Sequence, residues 1–159
     1  MDPEVQRELD LRRLRAIADY QFGPGAGEAL FPDDVEVIRG RTGRIKHVRY
    51  KGLLLATLRA SDGLFSLTIH GAKRLEGFLG DRHKVVVSEE AAPFVARGRS
   101  VFAKHVLRAD PDIRPGDEVL VVGPDGRLLA VGKALLTGCE MLFFRRGVAV
   151  KVRAGSAES

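Results

Sequence analysis

The second half of this chain is a run of short strand-like segments interrupted by single glycines at Gly98, Gly116, Gly132 and Gly147. It closes on Gly147-Val148-Ala149-Val150-Lys151-Val152-Arg153. Gly98 follows a short helix and reads as its stop; lacking a Cβ, it also lets a phosphate or sugar approach the backbone. Gly116, Gly132 and Gly147 read as turn, bulge or close-packing positions. In the last segment Val148, Val150 and Val152 share one strand face, and Ala149, Lys151 and Arg153 share the other. Burying the valines therefore projects both cations outward.

With 159 residues the chain can hold one ordinary domain or two small ones, with a real core. Its 26 Lys plus Arg against 21 Asp plus Glu give a formal charge of +5, an excess that favours a polyanionic partner only where it is concentrated. Cys139 is the sole cysteine, which rules out an intrachain disulfide and a thiol-based zinc site within one chain. Residues 1–15 are charged throughout, unlike a signal peptide, and no apolar run approaches a membrane span. A cytoplasmic protein without membrane contact is the expectation.

Residues 3–20 read as a helix with Val5, Leu9, Leu11, Leu14, Ile17 and Ala18 on one side. Gly23-Pro24-Gly25 stops it, Ala26–Leu30 adds a helical turn, and strands are expected over 35–38, 44–50, 53–59 and 65–69. A short helix over 71–79 buries Ala72, Leu75, Phe78 and Leu79, and Gly80-Asp81 marks a boundary. Beyond it come a strand over 84–87, a helix capped by Ser88 with Glu89 and Glu90 in its first turn, and strands over 100–107, 118–122, 128–136 and 148–153. The domains expected are residues 1–80, a small α+β domain, and 81–155, a second domain, with a flexible tail over 156–159. The fold class is α+β.

From Lys84 to Arg153 this order resembles the PUA domain, named for pseudouridine synthases and archaeosine transglycosylases. The resemblance is carried by Val85-Val86-Val87, Phe94, Gly98 with Ser100-Val101-Phe102-Ala103, Gly116-Asp117-Glu118-Val119, Ala130-Val131-Gly132 and Gly147-Val148-Ala149-Val150. Tyr20-Gln21-Phe22-Gly23, Thr42-Gly43-Arg44, Asp62-Gly63-Leu64-Phe65 and Gly71-Ala72 are similar to the domain that precedes PUA in archaeal archaeosine tRNA-guanine transglycosylases. The resemblance implies a β-pseudo-barrel that binds RNA. It also implies no catalysis of its own, because the family's large catalytic barrel does not fit beside these two domains. It places RNA contacts on the first helix of the PUA domain with its following strand, and on the last strand.

Charge is segregated in a way that fits. Arg39, Arg41, Arg44, Lys46, Arg49 and Lys51 lie in a thirteen-residue stretch with no acid. Arg97, Arg99 and Lys104 form a second acid-free group with Arg108, and Arg145, Arg146, Lys151 and Arg153 a third. Cations grouped apart from anions can neutralise adjacent phosphates and release counterions. The expected RNA surface is Arg97, Gly98, Arg99, Ser100, Lys104, Arg145, Arg146, Lys151 and Arg153, with the stretch from Arg39 to Lys51 as a secondary basic patch or a solvated hairpin. Phe102 and the Phe143-Phe144 pair can stack on bases, but core packing is the favoured role for each.

Enzyme readings find little support. His47, His70, His83 and His105 are 23, 13 and 22 residues apart, without helical zinc spacing. Cys139 lacks a nucleophile signature and reads as an inert, partly buried thiol. Asp110, Asp112, Asp117 and Glu118 sit in a turn region where carboxylates commonly satisfy backbone donors. No cofactor or metal is expected. The sequence reading is thus an RNA binder, positioning the acceptor stem and 3′ end of tRNA for a separately encoded RNA-modifying enzyme. Its alternative is a protein-interaction module of a ribonucleoprotein or translation complex.

Overall fold

In the computed structural model, which describes residues 1–158, Asp2 opens helix α1 (Pro3–Phe22) by accepting a hydrogen bond from the Glu4 N–H at 3.0 Å. The helix buries Asp10, Leu14, Ala18 and Phe22, a stripe of every fourth residue, while Val5 and Leu9 stay exposed. The apolar side expected from sequence is therefore narrower and rotated, because Asp10 faces inward to pair with Arg39 at 2.6 Å. Helix α2 (Ala26–Leu30) follows, its Gly27 N–H bonded to the Asp19 carboxylate at 2.7 Å.

Strands β1 (Glu36–Arg39), β2 (Ile45–Tyr50), β3 (Leu53–Leu58) and β4 (Phe65–Leu67) form an antiparallel sheet in that order. The expected strand through residue 69 stops at Leu67. Thr68 accepts a hydrogen bond from the Gly71 N–H on its side-chain oxygen at 3.2 Å, which starts helix α3 (Ile69–Leu79) two residues early. Phe22, Phe31, Phe65, Leu14 and Leu30 fill the core of this first unit, which spans Met1–Phe78, with Phe31 and Phe65 edge to face at 5.1 Å.

The second unit begins at Leu79. It contains β5 (Lys84–Val87), helix α4 (Ala92–Ala96), β6 (Val101–Phe102), β7 (Val106–Ala109), β8 (Glu118–Val122), β9 (Leu128–Ala134), helix α5 (Gly138–Phe143) and β10 (Val148–Gly155). The strand order is β6-β10-β9-β8-β5-β7, antiparallel except for β5 beside β8. β6 and β7 lie at opposite edges of this sheet, yet a single 3-10 turn, Ala103–His105, joins them. Four residue steps reach roughly 14 Å at most, whereas a flat six-stranded sheet would hold its edges about 24 Å apart. The sheet must therefore curl into a nearly closed barrel. The single strand expected over 100–107 is in fact this corner, where the chain changes partner from β10 to β5.

Val85, Val87, Val95, Val101, Val119, Val121, Leu129, Met141, Ala149 and Val150 pack inside. Ser88 accepts from the Ala91 N–H at 3.3 Å, but regular helix starts only at Ala92, so Glu89 and Glu90 lie in a turn ahead of it. Helix α5 was not expected; a capping box in which Thr137 and Glu140 bond each other's backbone N–H fixes its start. Past β10, Ser156 and Ala157 donate backbone hydrogen bonds to Leu129 and Ala96, both at 2.8 Å. Ser159, the last residue of the expected tail, lies outside the described residues. No helix among the described residues is long and apolar enough to cross a membrane.

Candidate nucleic-acid interface

Helix α4 buries Ala92, Val95 and Ala96, which leaves Phe94 on its outer side, 58% exposed. The helix ends at Arg97, and Gly98 takes φ +99°. Gly98 N–H bonds Val95 O at 2.9 Å and Arg99 N–H bonds Phe94 O at 3.1 Å, the paired closure of a Schellman motif. The cap alone explains why glycine stands here. A Cβ on Gly98 would lie 2.8 Å from Oε1 of Glu158, whose carboxylate also accepts the Gly155 N–H. An acidic side chain of the same unit thus covers the point where a phosphate was expected to approach the backbone.

Arg97 and Arg99 flank this cap and are exposed, as is Lys104 in the 3-10 turn Ala103–His105. Ser100 is half-buried, and its Oγ accepts the Val152 N–H at 3.4 Å, linking the start of β6 to β10. Arg145 and Arg146 are exposed in the turn leading from α5 into β10.

The last strand departs from simple alternation. Lys151 projects outward, but Ala149 is fully buried, because β10 is irregular against β6 between Val148 and Val150. A second irregularity falls between Val152 and Ala154, which pair with the adjacent residues Gly132 and Val131 and leave Arg153 as the extra residue. A bulge re-aims its side chain. Arg153 turns to Glu118 and donates to its carboxylate from both terminal guanidinium nitrogens, one at 3.0 Å to Oε1. Glu118 opens β8, the strand expected over 118–122, but its side chain is wholly buried in this pair rather than satisfying backbone donors of the preceding turn. Arg153 is thus a structural cation rather than a freely projecting one. At Gly132 a side chain would collide with the Lys151 backbone, so this glycine allows β9 and β10 to approach.

Aromatic residues also depart from expectation. Phe102 is 49% exposed, and Phe143 and Phe144 are 80% and 40% exposed, edge to face at 5.8 Å. None of the three is core. Phe102 pairs across the sheet with Val148, and Ala103 N–H bonds Gly147 O at 2.9 Å. The second unit therefore exposes Phe94 and Phe102 close in sequence to Arg97, Arg99 and Lys104, and Phe143 and Phe144 directly before Arg145 and Arg146. Flat apolar rings with cations beside them suit unpaired bases with their phosphates.

The secondary basic patch divides. Arg39, Arg44 and Lys46 line one cleft, joined by Arg13 and Arg59, neither of which the sequence reading placed there. Arg41 and Arg49 are exposed outside it, and the Lys51 ammonium lies over the Tyr50 ring at 5.2 Å. Cys139 is exposed rather than partly buried. Among the described residues no three His, Cys, Asp or Glu side chains group as a metal site.

Comparison with known proteins accounts for both halves. Residues 12–81 match the patch-forming domain C2 of tRNA-guanine transglycosylase, and residues 83–155 match the PUA domain. The chain is 53% identical over 150 residues to the tRNA-guanine(15) transglycosylase of Pyrococcus abyssi, covering 94% of this chain and 25% of that protein. It is 51% identical over 155 residues to the enzyme of the same name from Methanothermobacter thermautotrophicus, covering 96% and 24%. The chain therefore spans about a quarter of the length of these relatives. A hypothetical protein of Pyrococcus horikoshii superposes with a TM-score of 0.74 at 27% identity, covering 94% of this chain and 92% of the other. A conserved PUA domain protein of Thermoplasma acidophilum shares the fold, with a TM-score of 0.66 at 21% identity, covering 96% and 92%.

Proposed function

Since the chain is a PUA-domain protein whose first half is a patch-forming C2 domain, as in the C-terminal part of archaeal tRNA-guanine transglycosylases, we propose that it binds structured RNA, and tRNA in particular. The observation that carries this reading is the exposed set Arg97, Arg99, Lys104, Arg145, Arg146 and Lys151 alongside the bare rings of Phe94, Phe102 and Phe143. Cations neutralise phosphates and release counterions, while rings stack on bases that have left a helix. The junction of an acceptor stem with its single-stranded 3′ end offers both kinds of contact.

Gly98 supports the surface by capping α4 through its backbone N–H, and Ser100 by accepting the Val152 N–H on its hydroxyl, which ties β6 to β10. Arg153 supports it from below by holding Glu118. The chain itself performs no chemistry in this reading. It positions RNA for a modifying enzyme of the transglycosylase kind. Binding of intact tRNA compared with tRNA lacking its 3′ end tests the reading: weaker binding of the truncated RNA supports it, and equal binding counts against the 3′ end as target.

A further inference from the structure

We propose that the cleft between α1 and the β1–β2 turn of the first unit is a second phosphate-binding site, which takes the backbone of an RNA. The proposal rests on the reading of the chain as an RNA binder, but on residues outside the PUA domain. The cleft has a volume of about 720 Å³ and is lined by the cations Arg13, Arg39, Arg44, Lys46 and Arg59, with no carboxylate residue in its lining.

These five cations fall into two kinds. Arg39 and Arg59 are committed to the protein. Arg39 bonds Asp10 at 2.6 Å and the Gly43 carbonyl at 3.0 Å, which pins the β1–β2 turn, and Arg59 grips Asp62 through two bonds of 3.1 and 2.9 Å. Arg13, Arg44 and Lys46 are exposed, and among the described residues none has a carboxylate within ion-pairing distance. Lys46 is also the extra residue of a bulge, since Ile38 faces His47 and Arg39 faces Ile45. A bulge re-aims the side chain of its extra residue, and Lys46 lines the cleft together with Arg44.

Arg13, Arg44 and Lys46 line one cleft with no carboxylate in its lining, so their charges repel each other and an anion there relieves the repulsion. The walls supply guanidinium, ammonium and the hydroxyls of Thr42 and Thr57, but no aromatic ring to hold a base and no carboxylate to hold a ribose. That lining suits successive phosphates better than a nucleotide.

The test uses the full chain with three exposed cations neutralised, R13Q/R44Q/K46Q, checked by thermal unfolding, beside a PUA-surface variant, R97Q/R99Q/K151Q. Binding of tRNA is measured from 50 to 300 mM salt. A loss of about 2 to 3 in the slope of log K against log salt is expected for the first variant, with affinity down on the order of tenfold or more. An unchanged slope and affinity overturns the cleft while leaving the PUA surface standing if the second variant weakens. Loss in the first variant alone supports the cleft and counts against the PUA surface; loss in neither overturns both. Inorganic pyrophosphate is titrated in parallel by NMR of the Arg13 and Arg44 side chains. Perturbation there without any effect of R13Q/R44Q/K46Q on RNA marks a small-anion site and overturns the proposal.

Discussion

The Arg153 guanidinium closes over the Glu118 carboxylate, joining the bulge of β10 to the first residue of β8 across the intervening β9. Glu118 is wholly buried at its side chain and Arg153 is 38% exposed. Removing the cation takes this ion-pair partner from a buried carboxylate. Arg153→Ala is expected to cost about 3 kcal/mol in urea unfolding, and the double change R153A/E118Q to cost less than R153A alone. Equal costs for the two would mean that Glu118 does not depend on the pair.

This relationship also shows where the sequence was legible. The valine alternation locates β10, whereas the barrel is an expectation carried by the resemblance to the PUA domain. Alternation says nothing about bulges, however, because an inserted residue is invisible until both partner strands are paired. Alternation alone therefore makes Arg153 a surface cation and Ala149 exposed. Helix α5 was legible but missed, since Thr137-Gly138-Cys139-Glu140 carries a capping box in plain view. For Phe94 the spacing of Ala92, Val95 and Ala96 was enough to turn it outward, whereas the exposure of Phe102 and Phe143 depends on how a corner and a turn fold. Arg13 and Arg59 could not have been joined to Arg44 and Lys46 by any local pattern, because the cleft draws them from separate elements.

Phe143, at 80% exposure, has little to lose on truncation. Phe143→Ala is expected to change stability by less than about 0.5 kcal/mol. If a base stacks on it, tRNA affinity falls by roughly 1 to 3 kcal/mol. Calorimetric unfolding and an RNA titration on the same sample separate the two effects.

Glu158 lies against Gly98 and accepts the Gly155 N–H. Its charge repels an incoming phosphate, so Glu158→Gln is expected to raise tRNA affinity severalfold at low salt, and less at high salt as screening grows. Gly98→Ala should act on stability instead, costing about 1 kcal/mol or more because its positive φ strains any side chain. Filter binding at two salt concentrations, with unfolding curves for both variants, checks the pair.

Asp62 responds to acid with a defined sign. Partial burial pushes its pKa up, but hydrogen bonds from Leu64 N–H and the Arg59 guanidinium, with the charge of Arg59, outweigh that and hold it below its ordinary value of 3.8. A folded pKa below the unfolded one stabilises the protein above the ordinary value, and the contribution is lost as pH falls through the folded one. Asp62→Asn should therefore cost stability at pH 7, within about 1 kcal/mol for so exposed a pair. The gap to the parent should narrow in strongly acidic solution. Unfolding measured at neutral and acidic pH reads the difference.

The salt dependence of tRNA binding by the unaltered chain tests the central claim most directly. With Arg97, Arg99, Lys104 and Lys151 engaged on phosphates, log K should fall linearly with log salt with a slope of about 3 or steeper, at roughly 0.7 to 0.9 per contact. A flat response, or no binding at 50 mM salt, would contradict the account.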